Sequence, residues 1–365
     1  MEEVREKSVS EITTSVETES VKCEGCGSNL VFDPDTQKLK CPHCGFEKEF
    51  DTSIHAQERA IANGLSDSRK WTAEEAVVFR CENCGAKVVL SVGESAKSCP
   101  FCGTAHVCKS EELAGIKPNA VIPFAFDEKK ATEFSKAWAK KRFFAPRSFK
   151  KNISTDNVKG VYTPCFTFDS QTFSHYSGRL GKTRTRTVGS GKNRRTETYT
   201  VWFDIGGTYA LNFDDVLITA GSKFNQGNLD KISPFDTNES KEYQENYLLG
   251  YMAYHYDQEL TDCWGMAKSR MDKSIESAIL RQYSYDKVGY LNVSTSHSNV
   301  TFKYVMLPVY VGNYKFKQKL SNFFVNGSTG RVFGKTPKSW VKILATVLLS
   351  IAVVAGVFLL VHMLQ

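Results

Sequence analysis

Apolar positions recur along this chain with two different periods, which separates predicted helices from predicted strands. A helical period of about 3.6 residues runs through residues 127–143 and again through residues 258–282, where Asp257 is a suitable N-cap. Shorter apolar runs predict strands at residues 121–124, 160–169, 199–205 and 209–220. Three later runs predict an antiparallel meander at residues 290–294, 299–316 and 321–333.

Residues 119–334 are therefore predicted to form an α+β domain with an antiparallel sheet and helices on one of its faces. Each half of this domain combines a helix with an aromatic–proline strand, Tyr-Thr-Pro-Cys-Phe at residues 162–166 and Met-Leu-Pro-Val-Tyr at residues 306–310. This repeated pattern suggests a duplicated α+β unit.

The last strongly apolar stretch has a different character. Residues 343–361 contain no charge over nineteen positions, a helix of about 28 Å, which is close to the thickness of one hydrocarbon core. Lys335, Lys338 and Lys342 precede it and Trp340 suits the membrane interface. We predict a transmembrane helix at residues 343–363, in a single-pass cell-membrane protein whose N-terminus and soluble domains are cytoplasmic. The alternative is a buried helix of a soluble protein.

Eight cysteines form two copies of one pattern, in which two Cys-x-x-Cys pairs are separated by fourteen residues. The second copy begins 58 residues after the first. This is the spacing of a tetrahedral four-thiolate metal site. The predicted metal ligands are Cys23, Cys26, Cys41 and Cys44 in the first copy and Cys81, Cys84, Cys99 and Cys102 in the second.

The residues around these cysteines predict two small β zinc ribbons, at residues 21–50 and 77–108. A glycine follows the second cysteine of every pair, where a tight turn favours positive φ: Gly27, Gly45, Gly85 and Gly103. We predict two Zn²⁺ ions, one per ribbon; a single iron is the alternative at such a site. His43 and His106 are nearby alternative ligands.

The remaining regions have weaker patterns. Residues 1–20 should be a disordered acidic tail, and residues 51–76 a linker with a short helix broken at Asn63-Gly64. The first twenty residues contain no apolar signal-peptide core, which favours reduced thiols in the cytosol. Three cysteines lie outside the pairs and should be ordinary buried thiols: Cys108, Cys165 and Cys263.

Charge adds one further feature. The chain has a net charge of +7, and residues 179–195 hold seven basic residues and no acidic one. Gly189-Ser-Gly191 at the middle of this run predicts a long basic β-hairpin with a flexible tip. Anionic lipid, an acidic protein and nucleic acid are its candidate partners, and nucleic acid is disfavoured because no aromatic residue interleaves with the basic run.

The combination of these motifs resembles the bacterial double-zinc-ribbon, single-span membrane proteins whose ribbons are similar to the general transcription factor B type. The segments that carry the resemblance are the paired ribbons, Gly-Val-Tyr-Thr-Pro at residues 160–164, Met-Leu-Pro-Val-Tyr at residues 306–310 and Val-Asn-Gly-Ser-Thr-Gly at residues 325–330. The resemblance implies a membrane partner in envelope-stress systems, beside phage-shock-type coat proteins or proteins with flotillin-like domains.

Two functions follow as hypotheses. The first is a membrane-anchored zinc-ribbon adaptor that recruits protein partners at the cytoplasmic face of the membrane, as a homo- or hetero-oligomer. The alternative is a membrane-tethered nucleic-acid-binding protein. An enzyme is not expected, because the seven histidines are scattered and a four-thiolate site has no open position for substrate.

Overall fold

The computed structural model describes residues 21–66, 77–81, 83–90, 99–102, 107–109, 116–151, 153, 158–316 and 319–363. The predicted acidic tail at residues 1–20 lies outside these ranges, as does His106. Within them the chain is rich in β-structure, with helices packed on a large mixed sheet. The α+β class of the prediction is confirmed.

In chain order, the strands are β1 (Val31–Asp33), β2 (Lys38–Lys40), β3 (Glu47–Lys48), β4 (Arg59–Ala60), β5 (Val77–Cys81), β6 (Lys87–Leu90), β7 (Val107–Lys109), β8 (Ala120–Val121), β9 (Val158–Val188), β10 (Arg195–Thr219), β11 (Lys241–Glu242), β12 (Met252–Tyr254), β13 (Lys287–Phe316), β14 (Lys319–Asn326) and β15 (Val332–Gly334). The helices are α1 (Ile61–Ser66), α2 (Glu128–Lys140), α3 (Arg147–Lys151), α4 (Gln226–Ile232), α5 (Leu260–Leu280) and α6 (Trp340–Met363).

A long antiparallel pair, β9 with β13, forms the centre of the large sheet. The sheet continues from β13 to β8 and β11 on one side, and from β9 to β12, β6, β5 and β7 on the other. Two separate strands were predicted between residues 290 and 316, and this is wrong. A single strand, β13, covers this range. The apolar pattern is interrupted at a β-bulge between Ser298 and Thr301, where the register shifts but the strand continues.

The predicted duplication is visible in the topology. Each unit has a short strand, a helix and a long strand, β8–α2–β9 and β12–α5–β13. The short strand of each unit pairs in parallel with the long strand of the other, so the prediction of an antiparallel sheet is wrong and the sheet is mixed. Each long strand then forms a hairpin, β9 with β10 and β13 with β14. The two aromatic–proline segments face each other at the centre, where Pro164 is opposite Met306 and Pro308 is opposite Tyr162.

Both faces of the central sheet are covered, whereas helices were expected on one. Alternation along β9 directs Tyr162, Phe166 and Phe168 to the face under α2 and α5. The intervening Val161 and Cys165 are buried on the opposite face, in the same apolar cluster as residues of α4. Cys165 and Cys263 are buried thiols as predicted, while the side chain of Cys108 lies outside the described part of the chain.

Helix termini partly follow the sequence. Asp127 caps α2, where its side chain accepts a hydrogen bond from the Lys130 amide. Asp257 does not cap α5, which starts after Glu259. The carboxylate of Asp257 instead accepts hydrogen bonds from Ser222 and Tyr254, and so joins the loop after β10 to β12.

Two regions of the predicted linker pack on the domain. β4 pairs with β13, and α1 continues through Asn63-Gly64, where a break was predicted. At Gly64 the backbone of α1 comes so close to the ring of Phe302 that a Cβ atom would lie 2.4 Å from its Cζ, which explains a glycine at this position. The missing side chain is what allows the helix to lie against the sheet.

Candidate metal centres

The four sulfurs of each predicted site come together. In the first cluster, Cys23 with Cys26, Cys41 and Cys44, the crossing Sγ–Sγ distances are 3.4 Å for Cys23–Cys44 and 3.5 Å for Cys26–Cys41. In the second cluster, Cys81 with Cys84, Cys99 and Cys102, the corresponding distances are 3.5 and 3.6 Å. These distances are too long for disulfides.

The same distances suit a tetrahedral metal ion. Metal–sulfur bonds of about 2.3 Å in a tetrahedron place the sulfurs about 3.8 Å apart, close to the separations seen in both clusters. All four sulfurs of each cluster lie within 4.8 Å of one another. Each cluster can therefore hold one metal ion, and zinc or a single iron would both suit the four thiolates.

Tight turns present the cysteines. The glycine after the second cysteine of a pair has a positive φ in each described case, 74° at Gly27, 77° at Gly45 and 71° at Gly85. Its amide donates a hydrogen bond to the carbonyl of the first cysteine, at 2.7 to 3.0 Å. The prediction of left-handed turns is confirmed at these three positions, and Gly103 lies outside the described residues.

Without a metal ion, the thiols of the two clusters differ in how readily they ionise, and hydrogen bonds with the other cysteines raise the pKa of Cys44 to about 12. Hydrogen bonds from Ser28 lower the pKa of Cys26 to about 6, so this exposed thiol ionises readily. Burial raises the pKa of Cys84 to about 11 and also raises the pKa of Cys99. Since ionised sulfurs at such distances repel each other, a bound cation is what would hold all four of a cluster as thiolates.

Among the described residues, the two clusters consist of cysteines alone. His43 is exposed and is not grouped with the sulfurs of the first cluster. Its proposed role as an alternative ligand therefore has no support from the geometry.

The first cluster belongs to a module of its own, β1–β2–β3. Beside this small sheet, the ring of Phe50 packs on that of Tyr247 at 5.0 Å. The ring of Phe32 lies 5.4 Å from that of Tyr247 and 6.4 Å from that of Tyr251, and its amide donates to the carbonyl of Leu249 at 2.9 Å. Cys23 and Cys41 are buried at this contact, while Cys26 and Cys44 are exposed.

The second cluster is part of the large sheet. β6 pairs with β12 through the backbone, and the amide of His255 donates to the carbonyl of Lys87 at 3.0 Å. The side chains of Asn313 and Asn322 donate to the carbonyls of Pro100 and Phe101, at 2.7 and 2.8 Å. The turn between Cys99 and Cys102 is thus held from the β13–β14 hairpin.

A third group of possible ligands was missed by the sequence analysis. Glu58, Asp169 and Asp214 bring carboxylate oxygens within 4.8 Å of one another, from three distant parts of the chain. The cluster already contains a buried cation, since Lys303 Nζ lies 2.9 Å from Asp215 Oδ1 and 3.7 Å from Glu58 Oε1. The neighbouring lysine identifies this group as an ion-pair network at the surface of the sheet, in which Lys303 is buried while Glu58 and Asp214 are exposed.

The acidic groups of this network shift each other's pKa values. Burial, a hydrogen bond with Glu58 and the neighbouring carboxylates raise the pKa of Asp169 to about 7. The same hydrogen bond lowers the pKa of Glu58. Burial alone would lower the pKa of Lys303, but the ion pair with Asp215 outweighs it, so that pKa is raised. No sequence pattern could have revealed the network, because its members meet only through strand pairing.

The basic run of residues 179–195 lies at the far end of the β9–β10 hairpin, which is much longer than predicted. Strand alternation places Lys182, Arg184 and Arg186 on one face. The register sets Tyr199 opposite Arg184, and the Arg186 guanidinium lies 5.7 Å from the Tyr199 ring. Aromatic and basic side chains therefore do share this surface, because β10 supplies the aromatic ones.

The C-terminal helix α6 begins at Trp340, three residues before the predicted start, and none of its most apolar window is buried. Its 22 residues from Trp340 to Val361 are long and apolar enough to cross a membrane. The chain is thus an α+β protein with two four-cysteine clusters that can hold metal ions and one helix fit to span a membrane.

Comparison with known proteins adds a family. The chain is 30% identical over 240 residues to the uncharacterized protein YdjG of Bacillus subtilis (strain 168), an alignment that covers 65% of this chain and 69% of YdjG. The chain belongs to the same family as YdjG. No protein-family model matches the chain, and no solved structure matches it.

Proposed function

We propose that the protein is a membrane-anchored adaptor that recruits protein partners at the cytoplasmic face of the cell membrane. The observation that carries the proposal is the exposed apolar helix α6 beside a sheet domain whose cysteine clusters leave no open ligand position. Lys335 and Lys338 before the helix, with Lys342 in its first turn, support a cytoplasmic orientation. The resemblance to double-zinc-ribbon membrane proteins supports a role in envelope stress.

In this proposal each cluster holds one structural Zn²⁺, with the four cysteines as its ligands. The ion would neutralise the thiolates and fix the turns, and it would take no part in a reaction. Elemental analysis of the purified chain should find two equivalents of zinc, and one after Cys26→Ser or after Cys84→Ser. Coloured protein containing iron would contradict the choice of metal.

The hairpin tip, residues 179–204, is our proposed docking site for an acidic protein surface. These residues include seven basic side chains and two acidic ones, Glu197 and Asp204, which gives a net charge of +5. Glu197 forms ion pairs with Arg186 and Arg195 at 3.2 and 2.9 Å, so these two arginines are partly neutralised within the hairpin. The exposed side chains of Tyr199, Val201 and Trp202 add apolar contact area.

Crosslinking in native membranes, followed by mass spectrometry, tests the adaptor. We expect a stoichiometric protein partner with the natural chain, and its loss when Arg184→Glu and Arg194→Glu reverse the charge of the tip. Lys129→Glu with Lys130→Glu, on α2, is the matched control and should retain the partner. A partner retained by the tip variant would contradict docking at the hairpin, and no partner in any membrane sample would contradict the adaptor function.

Nucleic-acid binding is the second candidate, favoured by the basic and aromatic surface that β9 and β10 build together. Successive bases stack on aromatic side chains while basic residues follow the phosphates. A gel shift with the full chain in lipid nanodiscs should show salt-dependent binding to single-stranded nucleic acid, weakened by Tyr199→Ala. Unchanged binding in that variant would count against this surface.

A further inference from the structure

A second basic run, with no assigned role, lies at the base of α6. Residues 136–151 contain seven basic residues and no acidic one, as many as the hairpin tip. The run covers the end of α2, the connecting loop and α3. Its basic members are Lys136, Lys140, Lys141, Arg142, Arg147, Lys150 and Lys151.

Hydrogen bonds fasten this loop to the first turn of α6. The amide of Ser339 donates to the carbonyl of Phe144 at 2.8 Å. Lys342 Nζ donates to the carbonyls of Phe143 and Ala145, at 3.0 and 2.8 Å. The loop is therefore level with residue 342, immediately before the charge-free stretch of residues 343–361.

The loop also exposes two phenylalanines. Phe143 is 65% exposed and Phe144 is 41% exposed, and their rings meet edge to face at 5.2 Å. Trp340 in the neighbouring turn of α6 is 80% exposed. Exposed aromatic side chains with basic neighbours, at one end of an apolar helix, are typical of the membrane–water interface.

We propose that residues 140–147 and the first turn of α6 form a lipid-binding platform for anionic phospholipid. Phe143, Phe144 and Trp340 would enter the boundary between headgroups and acyl chains. Exposed Lys140, Lys141 and Arg147 would contact phosphate groups. The inference rests on the proposed membrane span of α6, which sets the depth of the platform.

This platform replaces the hairpin as the expected lipid contact. Phe149 in α3 packs on Tyr314 with ring centroids 4.6 Å apart. Tyr314 lies in β13, two residues after Gly312, which pairs with Val158 at the start of β9. The hairpin tip is at the other end of β9: at 3.3 Å per residue, Arg179 lies about 70 Å and Val188 about 100 Å from Val158 along the strand. The two basic runs therefore belong to opposite ends of β9, and the one fastened to α6 is the one beside the bilayer.

Photo-crosslinking of the full chain in vesicles of equimolar phosphatidylcholine and phosphatidylglycerol tests the platform. Phe143→p-benzoylphenylalanine should form lipid adducts, whereas the same change at Phe173, an exposed phenylalanine on β9, should form none. Val354→p-benzoylphenylalanine in the middle of α6 reports the anchor separately. An adduct at 354 without one at 143 would overturn the platform alone, and adducts at neither position would overturn the membrane span.

Charge is tested in the same vesicles with the reporter at position 143. We expect phosphatidylglycerol to be enriched in the adducts, and Lys141→Gln with Arg147→Gln to reduce that enrichment by about fivefold or more. Arg184→Gln with Arg194→Gln, the matched pair at the hairpin tip, should leave it unchanged. Equal adducts with both lipids in the natural chain would overturn the preference for anionic phospholipid.

Discussion

The two cysteine clusters have the same spacing, the same glycine turns and nearly the same sulfur geometry, yet they join the domain differently. The first sits in its own three-stranded sheet, which contacts the domain through the rings of Phe32 and Phe50 and through a backbone hydrogen bond from Phe32 to Leu249. The second is hydrogen-bonded through its backbone into the large sheet. Their aromatic contacts also lie on opposite faces of that sheet, because Phe32 is in the apolar cluster of Tyr162 and Phe101 in that of Val161.

This difference shows that one motif can be a docked module in one place and a structural part of the domain in another. The cysteines determine only the metal geometry. What surrounds them decides how far the loss of a metal ion spreads. Strand pairing within one sheet transmits disorder to the neighbouring strand, whereas a contact made mostly by side chains separates more easily.

The largest expected effect is the loss of a buried ligand from the second cluster. A structural zinc contributes on the order of 10 kcal/mol to the folding of a small unit, and we expect Cys99→Ser to forfeit most of it. Hydrogen–deuterium exchange should then show loss of protection in β12, the partner of β6. Cys41→Ser should instead expose β1–β3 and leave β12 protected, with the non-ligand Cys165→Ser as control. Equal exchange of β12 in both variants would contradict the distinction.

A smaller effect is expected when the contact of the first module is removed. Phe32→Ala should cost about 3–4 kcal/mol in the free energy of unfolding, since the side chain is buried against Tyr247 and Tyr251. The matched change Phe101→Ala removes a ring 5.1 Å from that of Tyr254 in the second module. Limited proteolysis should release the first module only, because β6 keeps its backbone bonds to β12, and elemental analysis should still find both metal ions.

Removal of one hydrogen bond should affect the second cluster alone. Asn313→Ala leaves the carbonyl of Pro100 without its side-chain donor, at a cost of about 1–2 kcal/mol. Transfer of metal to a coloured chelator should become faster for the second cluster and stay unchanged for the first. Lys22→Ala, which removes an exposed bond to Asn29, is the control and should change neither rate.

The smallest expected effect is the pH dependence of stability that comes from Asp169, a residue outside both cysteine clusters. The pKa of Asp169 is about 7 in the folded protein and 3.8 for an ordinary aspartate, so between these values the folded chain keeps a proton that the unfolded chain loses. Stability from this group is present below pH 4 and is lost as the pH rises through 7. Glu58, Asp214, Asp215 and Lys303 face the group.

Asp169→Asn should remove this dependence, so the variant gains stability relative to the natural chain as the pH rises from 5 to 8. The gain should stay below about 1 kcal/mol, because Asp169 is half-exposed and solvent screens its charge. Thermal unfolding across this pH range measures it. The same difference should appear in Cys41→Ser and Cys99→Ser backgrounds. A gain that falls with rising pH would show that the proton is not held at Asp169.

The sequence alone was enough to predict the local features of the structure. The cysteine spacing specified which sulfurs meet, since ligand pairs close in the chain need only one turn each. The period of apolar residues located α2 and α5, and nineteen uncharged residues located α6. The aromatic–proline segments at residues 162–166 and 306–310 already indicated the duplication.

Only the tertiary structure decided what depends on pairing between distant residues. The strand register brought Tyr199 beside the basic residues of β9 and assembled the network of Glu58, Asp169 and Lys303. Packing, which sequence periodicity does not encode, placed a helix on each face of the sheet and fastened residues 140–147 to α6. The two cysteine clusters are alike in sequence because the metal sets their local geometry, and they differ in the fold because their neighbours come from elsewhere in the chain.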